Sequence, residues 1–187
     1  MDLNVVIAEL RGRCPLFVNR VAGAAQFKQL DQNANFLVPA AYVIPLDEQA
    51  EAMRSQSGYQ QDLKETIAVV VILSNEQDER GQASVNQALN DVRAQLWRCL
   101  LGWDLTDYGP FVYEGGHVLM INRSRLYYQF EFSADFRITP VMTRLGANFE
   151  ALPDFEGVTL KVDYLDPGAG VPDGRIEHTM RADPPSV

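Results

Sequence analysis

Chemistry in this chain could come from two histidines, His117 and His178, two cysteines, Cys14 and Cys99, and many carboxylates. Metal binding by the histidines would need Asp or Glu partners, because no HxxxH, HExxH or CxxC spacing is present. His117 follows directly on Gly115-Gly116, which places it at a surface turn rather than in a ligand set. A Cys–His nucleophile would have to use Cys14 or Cys99, and Cys99 falls on the apolar stripe of a helix, where a thiol is buried and inert. Gly115-Gly116 is no phosphate loop, since it lacks the GxxxxGK[ST] pattern and joins two strand-like runs. Carboxylates such as Asp47, Glu48, Glu51, Asp78 and Glu79 stand in polar stretches, without the paired, desolvated surroundings that tune a carboxyl for acid–base work. Arg123 and Arg125 flank a turn and could hold a phosphate, but surface ion pairing is the commoner role for such residues. These patterns define no catalytic residue, no metal site and no cofactor site.

The elements that would position such residues are those of one domain with an appended tail. The chain has 187 residues, 47% of them hydrophobic, and a net charge of −9. That composition is globular, and the acidic balance argues against simple nucleic-acid binding, which draws its affinity from Lys and Arg. No apolar run approaches the roughly 20 residues that span a membrane. The start, MDLNVVIAELRGRC, carries an early acid and no basic leader, so it is not expected to be a signal peptide. Two cysteines make neither a disulfide framework nor a zinc cluster, which suits synthesis in a reducing cytoplasm.

The chain is organised around Ser74–Trp103. Val85, Leu89, Val92, Leu96, Cys99 and Trp103 recur at alternating steps of four and three, the spacing that keeps side chains on one helical face. A helix over Gln82–Leu101 is expected, with Asp78 or Asn75 as cap, Glu79 at the positive end of the dipole and Gly102 as the left-handed C-terminal cap. Trp97 and Leu101 project away from the stripe, onto the polar face of Asn86, Asn90 and Arg93. A tryptophan beside a leucine there calls for a second cover, from another segment or another subunit.

Along the chain, Asp2–Arg13 reads as a short amphipathic helix capped by Asp2, and Phe17–Leu30 as loop with at most a helical turn. Asn35–Leu46 is strand-like, but Pro39 and Pro45 restrict it to an edge or an irregular pairing. Asp47–Lys64 is a long polar connection. Thr66–Leu73, TIAVVVIL, lacks alternation and reads as a central strand covered on both faces. Pro110–Tyr113 and His117–Ile121 form a hairpin turning at Gly115-Gly116, and Asn122–Arg125 is the next turn. Leu126–Phe136 alternates, with Leu126, Tyr128, Phe130 and Phe132 on one face. The expectation is an α+β fold: a mostly antiparallel sheet with one long and one short helix on one face, plus a C-terminal extended arm. The domain covers residues 1–138. Residues 139–187 are a Pro/Gly-rich extension whose strands, Val158–Tyr164 and Arg175–Met180, need the sheet or a neighbour to complete their hydrogen bonds.

The order PAAYVIPL, IAVVVILSN, DERGQA, LWRCLLGW, YEGGH, RLYYQFEF resembles the tail terminator proteins of long-tailed bacteriophages over roughly Phe36–Phe136. The resemblance implies a virion structural protein without catalytic residues or cofactors. It implies a ring, six copies in that family, on the last ring of a completed tail tube, which stops polymerisation and joins the tail to a head-side neck or connector protein. Genomic DNA would pass through without specific binding, and carboxylates at the bore would keep phosphates from sticking. Trp97, Leu101, Arg93, Arg123 and Arg125 are the candidate subunit-interface residues. Two alternatives stand beside this reading: a head-side neck subunit, and a small α+β enzyme or ligand-binding domain with His117, Arg123 and Arg125 around a pocket.

Overall fold

The computed structural model describes residues 1–28, 37–54, 58–75, 84–154, 156–163 and 174–183. It divides into two compact units, Met1–Thr143 and Arg144–Val187. The first contains α1 (Leu3–Arg13), β1 (Val21–Gly23), α2 (Ala24–Lys28), β2 (Ala40–Ala50), β3 (Gln61–Ser74), α3 (Ser84–Leu100), β4 (Val112–Ile121) and β5 (Arg125–Ile138). The second contains α4 (Arg144–Glu150), β6 (Val158–Val162) and β7 (His178–Ala182). The fold is α+β, with a five-stranded sheet in the order β1-β2-β3-β5-β4. Only β1–β2 is parallel; the other pairs run antiparallel.

β3 explains the unbroken run of apolar residues at its heart. It lies between β2 and β5, and its alternate side chains enter two separate cores. Ile67, Val69, Val71 and Leu73 face α1 and α3, together with Phe130, Phe132 and Leu126 of β5. Ala68, Val70 and Ile72 join Ala40, Tyr42 and Phe27 on the opposite face. A strand buried on both sides has no solvent face to alternate towards. The expected long and short helices, α3 and α1, share the first face, and the short α2 adds Phe27 to the second core on the other.

The helices start and stop for local reasons. Asp2 Oδ1 accepts from the Asn4 N–H at 2.9 Å, satisfying an orphan donor at the α1 N-terminus. Val6 and Leu10 are buried, and Pro15 opens a 3-10 turn just beyond the helix. α3 ends at Gly102, whose φ of +74° is the left-handed conformation that glycine adopts without strain. The expected caps Asp78 and Glu79 and the helix entry at Gln82 lie outside the described residues, as does the side chain of Val85. Asn75, the other cap candidate, ties this end of β3 to the β4–β5 turn: its side-chain amide donates to the Asn122 carbonyl and its backbone N–H to that of Ser124.

Two expectations are corrected. Gly115-Gly116 is not a hairpin turn but lies inside β4, where the register shifts between Tyr113 and Gly115; the chain turns at 122–124 instead. The polar stretch Asp47–Lys64 is not all loop, because Glu48, Gln49 and Ala50 pair with Glu65, Lys64 and Leu63. These pairs extend the β2–β3 hairpin past the core, so their side chains need no apolar alternation. Pro45 sits where that pairing shifts register, the irregularity a missing N–H produces. In the second unit, β6 and β7 pair with each other in antiparallel register from Val158↔Ala182 to Val162↔His178, and α4 precedes them.

Candidate interaction surface

The residues singled out for chemistry do not assemble. His117 sits on β4 with its Nδ1 3.5 Å from Glu131, while His178 begins β7 in the second unit. Among the described residues no group of three or more His, Cys, Asp and Glu could hold a metal ion. Cys14 and Cys99 do meet, which their sequence separation concealed. Both are buried, with Cys14 Sγ 3.8 Å from the Gln95 carbonyl and Cys99 Sγ 3.8 Å from that of Glu9. A hydrogen bond with Cys14, and then burial, push the Cys99 thiol well above its ordinary range. A thiol held protonated is a poor nucleophile.

Among the described residues of the first unit, two clefts stand out. The larger, about 370 Å³, is lined among others by Arg54, Asp62, Lys64, Asp135 and Arg137. Its charges answer one another: Arg137 Nε donates to Asp62 at 2.7 Å and Arg54 Nη1 reaches Asp62 at 2.9 Å. The Arg137 hydrogen bond holds the Asp62 carboxyl below its usual range. The smaller, about 300 Å³, includes Arg11 and Arg20, whose guanidinium groups donate to the Val21 and Pro39 carbonyls. Neither cleft is lined by His117, Arg123 or Arg125, so the pocket required by the enzyme alternative is in neither of them.

What the fold does build is an uncovered apolar flank. On α3, Val92, Leu96, Cys99 and Leu100 are buried, while Trp97 and Leu101 remain 39% and 38% exposed. Trp97 stands edge-on to Tyr113 of β4, ring centroids 5.4 Å apart, and Leu101 bridges to Phe111. Tyr113 in turn packs on Phe132 of the core. Burial raises the Tyr113 phenol above its ordinary range, and a hydrogen bond with Arg93 opposes that shift; Arg93 also donates to Asn90 at 2.9 Å. Trp97, Leu101 and Arg93 therefore gather around the start of β4. Arg123 and Arg125 do not join them, since they belong to the β4–β5 turn at the other end of the strand.

Gly116 permits this arrangement. A Cβ there would lie 2.8 Å from Tyr128 Cε1, 2.9 Å from the Gln129 carbonyl oxygen and 2.9 Å from the Tyr113 hydroxyl. The flank continues along β4, the last strand of the sheet, where Val118, Leu119, Met120 and Ile121 are all exposed. The register with β5 puts Val118 and Ile121 on the same face as Tyr113, opposite Tyr128 and Leu126. On the other face, Lys64 Nζ meets Glu114 at 2.7 Å and Ser133 Oγ donates to Glu114 at 2.6 Å. The lysine contact, then the serine, hold the Glu114 carboxyl below its usual range. Gln129 donates to Glu131 at 2.8 Å.

The first unit thus presents a sheet edge with four consecutive exposed apolar side chains next to a half-exposed tryptophan, a larger apolar surface than singly scattered side chains make. The chain belongs to the phage tail terminator protein family, whose model matches residues 1–144. It is a structural protein of the phage tail. No curated protein matches it. The match ends where the first compact unit ends, at about Thr143, and leaves the α4–β7 segment outside. No helix among the described residues is long and apolar enough to cross a membrane.

Proposed function

We propose that copies of this chain form a ring, of about six subunits, that caps the finished tail tube, stops its growth and joins it to a head-side neck protein. Family membership supplies the tail, and the observation that supports a ring is the flank of Trp97, Leu101 and the β4 edge. A ring is closed by heterologous contacts, in which one patch of each subunit meets a different patch of the next. Trp97 and Leu101 form the centre of one such patch, with Arg93 beside them. Arg123 and Arg125, at the far end of β4, mark its rim. The net charge of −9 suits a passage for DNA, because a bore that bound phosphates would hold the genome back.

Infection with a phage lacking this protein tests the reading. Tail tubes are expected to grow past their normal length or to remain without heads, as measured by electron microscopy of the lysate. Tails of normal length, joined to heads, in its absence would rule the capping role out.

A further inference from the structure

The segment beyond the family match carries a hairpin with two unlike faces. From the β6–β7 register, Val158, Leu160 and Val162 share one face with Met180, Ala182 and, at its end, His178, while Thr159, Lys161, Thr179 and Arg181 share the other. Val158, Leu160 and Met180 are exposed. A two-stranded hairpin is marginal on its own in water, so an apolar face of this kind requires a cover. We propose that β6 of one copy lies along the open edge of β4 of a neighbouring copy, extending its sheet. This placement rests on the ring reading above and names the contact that the appended segment would add to it.

Both faces match. Along β4, the side chains facing α3 include Val118 and Ile121, which are exposed and apolar. The opposite side carries the carboxylates of Glu114, already paired with Lys64 at 2.7 Å, and of Glu131, whose only ionisable neighbour among the described ion pairs is His117 at 3.5 Å, which leaves Glu131 as the carboxylate for an added cation. A strand laid beside β4 with Leu160 continuing the apolar side directs Lys161 to the acidic one, because successive side chains alternate. Glu131 belongs to β5, two strand spacings or about 9.5 Å from the added strand. The β4 residue opposite Glu131 is Gly115, which has no side chain to block the way. A lysine and a glutamate side chain together bridge that gap, and pairing a cation with a carboxylate fixes the register of two docked surfaces. Arg181 is already engaged by Asp183 at 2.6 Å, which singles out β6 rather than β7 as the strand that meets the edge. The occupant is a second copy because hairpin and edge are different patches, and a contact between unlike patches repeats from subunit to subunit around a ring.

The test uses the full-length chain, an equal mixture of ordinary and heavy-isotope copies, added to tail tubes made without it and treated with a zero-length carbodiimide cross-linker. Lys64 and Glu114 of the same copy should link and serve as the internal control. The expected product joins Lys161 of a light copy to Glu131 of a heavy one, and the reverse. Lys161→Glu and Glu131→Lys should each weaken ring formation on the order of tenfold, and the two reversals combined should restore it. A Lys161–Glu131 link confined to single copies, or Lys161 joined to the tube protein instead, overturns the placement. Copies linked to each other only through other residues also overturn it, while leaving the ring reading intact. If the control forms and no copy is joined to another anywhere, the ring reading itself fails.

Discussion

Trp97→Ala is expected to leave the monomer folded and to abolish stable assembly at the tube end. Truncating a fully buried tryptophan destabilises a core by about 3–5 kcal/mol. Trp97 is 39% exposed and, among the described residues, has one ring neighbour, Tyr113, so the monomer should lose only a fraction of that, about 1–2 kcal/mol. At a subunit contact the same side chain is the kind of anchor that dominates binding. Removing it should weaken each contact by about 2–4 kcal/mol, roughly 30- to 1000-fold. Thermal melting measures the first effect, and sedimentation or binding to isolated tubes the second. A melting temperature lowered as far as by a core truncation, with assembly affected no more than stability, would place Trp97 in the fold rather than between subunits.

Gly116→Ala should produce the opposite pattern, a loss of stability in the monomer itself. The added methyl meets Tyr128, the Tyr113 hydroxyl and the Gln129 carbonyl, all below 3.0 Å. Either tyrosine can swing aside, but the carbonyl belongs to the β4–β5 ladder and cannot move without breaking pairing. Overpacking of this kind costs about 1–3 kcal/mol. Displacing Tyr113 also removes the ring against which Trp97 stands, so assembly should weaken beyond the loss of stability. Gly12→Ala is the control: its Cβ would meet nothing within 4 Å in α1, and Gly-to-Ala in a helix stabilises by about 0.5–1 kcal/mol. A Gly116→Ala variant as stable as the parent would show that β4 and β5 are less closely opposed than described.

The Gly116 geometry also shows why part of the fold was hidden from the sequence. Two adjacent glycines are a strong turn signal when only local chain freedom is considered. Here one of them is required by a tertiary approach, Tyr128 crossing over Gly116 from β5, which no local pattern encodes. The same distinction separates the other successes and failures. The stripe Val92–Leu96–Cys99, the Asp2 cap, the Gly102 stop and the doubly buried β3 are all local consequences of periodicity or of one residue's backbone preference, and they were legible. The three-residue β1, the meeting of Cys14 with Cys99 and the second core around Tyr42 depend on partners distant in sequence, and they were not. The β2–β3 extension was missed because strands that leave the core shed their apolar alternation.

The candidate surface follows the same rule. That Trp97 and Leu101 leave the helix stripe could be read from spacing alone, and their half-exposure follows from it. Spacing also puts Arg93 on that face; that it meets Tyr113, while Arg123 and Arg125 lie at the far end of β4, depends on how the strand runs past the helix. The exposed run Val118–Ile121 was visible as an apolar strand. Its openness came only with the strand order, which leaves β4 without a second neighbour among the described residues.

Averaged images of purified tails, with the mass of the capping particle measured on the same preparation, test the central claim most directly. The account predicts a closed ring of this chain at the head-proximal end of the tube, about six copies with α3 and β4 at the boundaries between subunits, and absent when Trp97 is replaced by Ala. Single copies scattered along the tube, or a ring whose subunits meet through other elements while the α3 flank faces solvent, would contradict it.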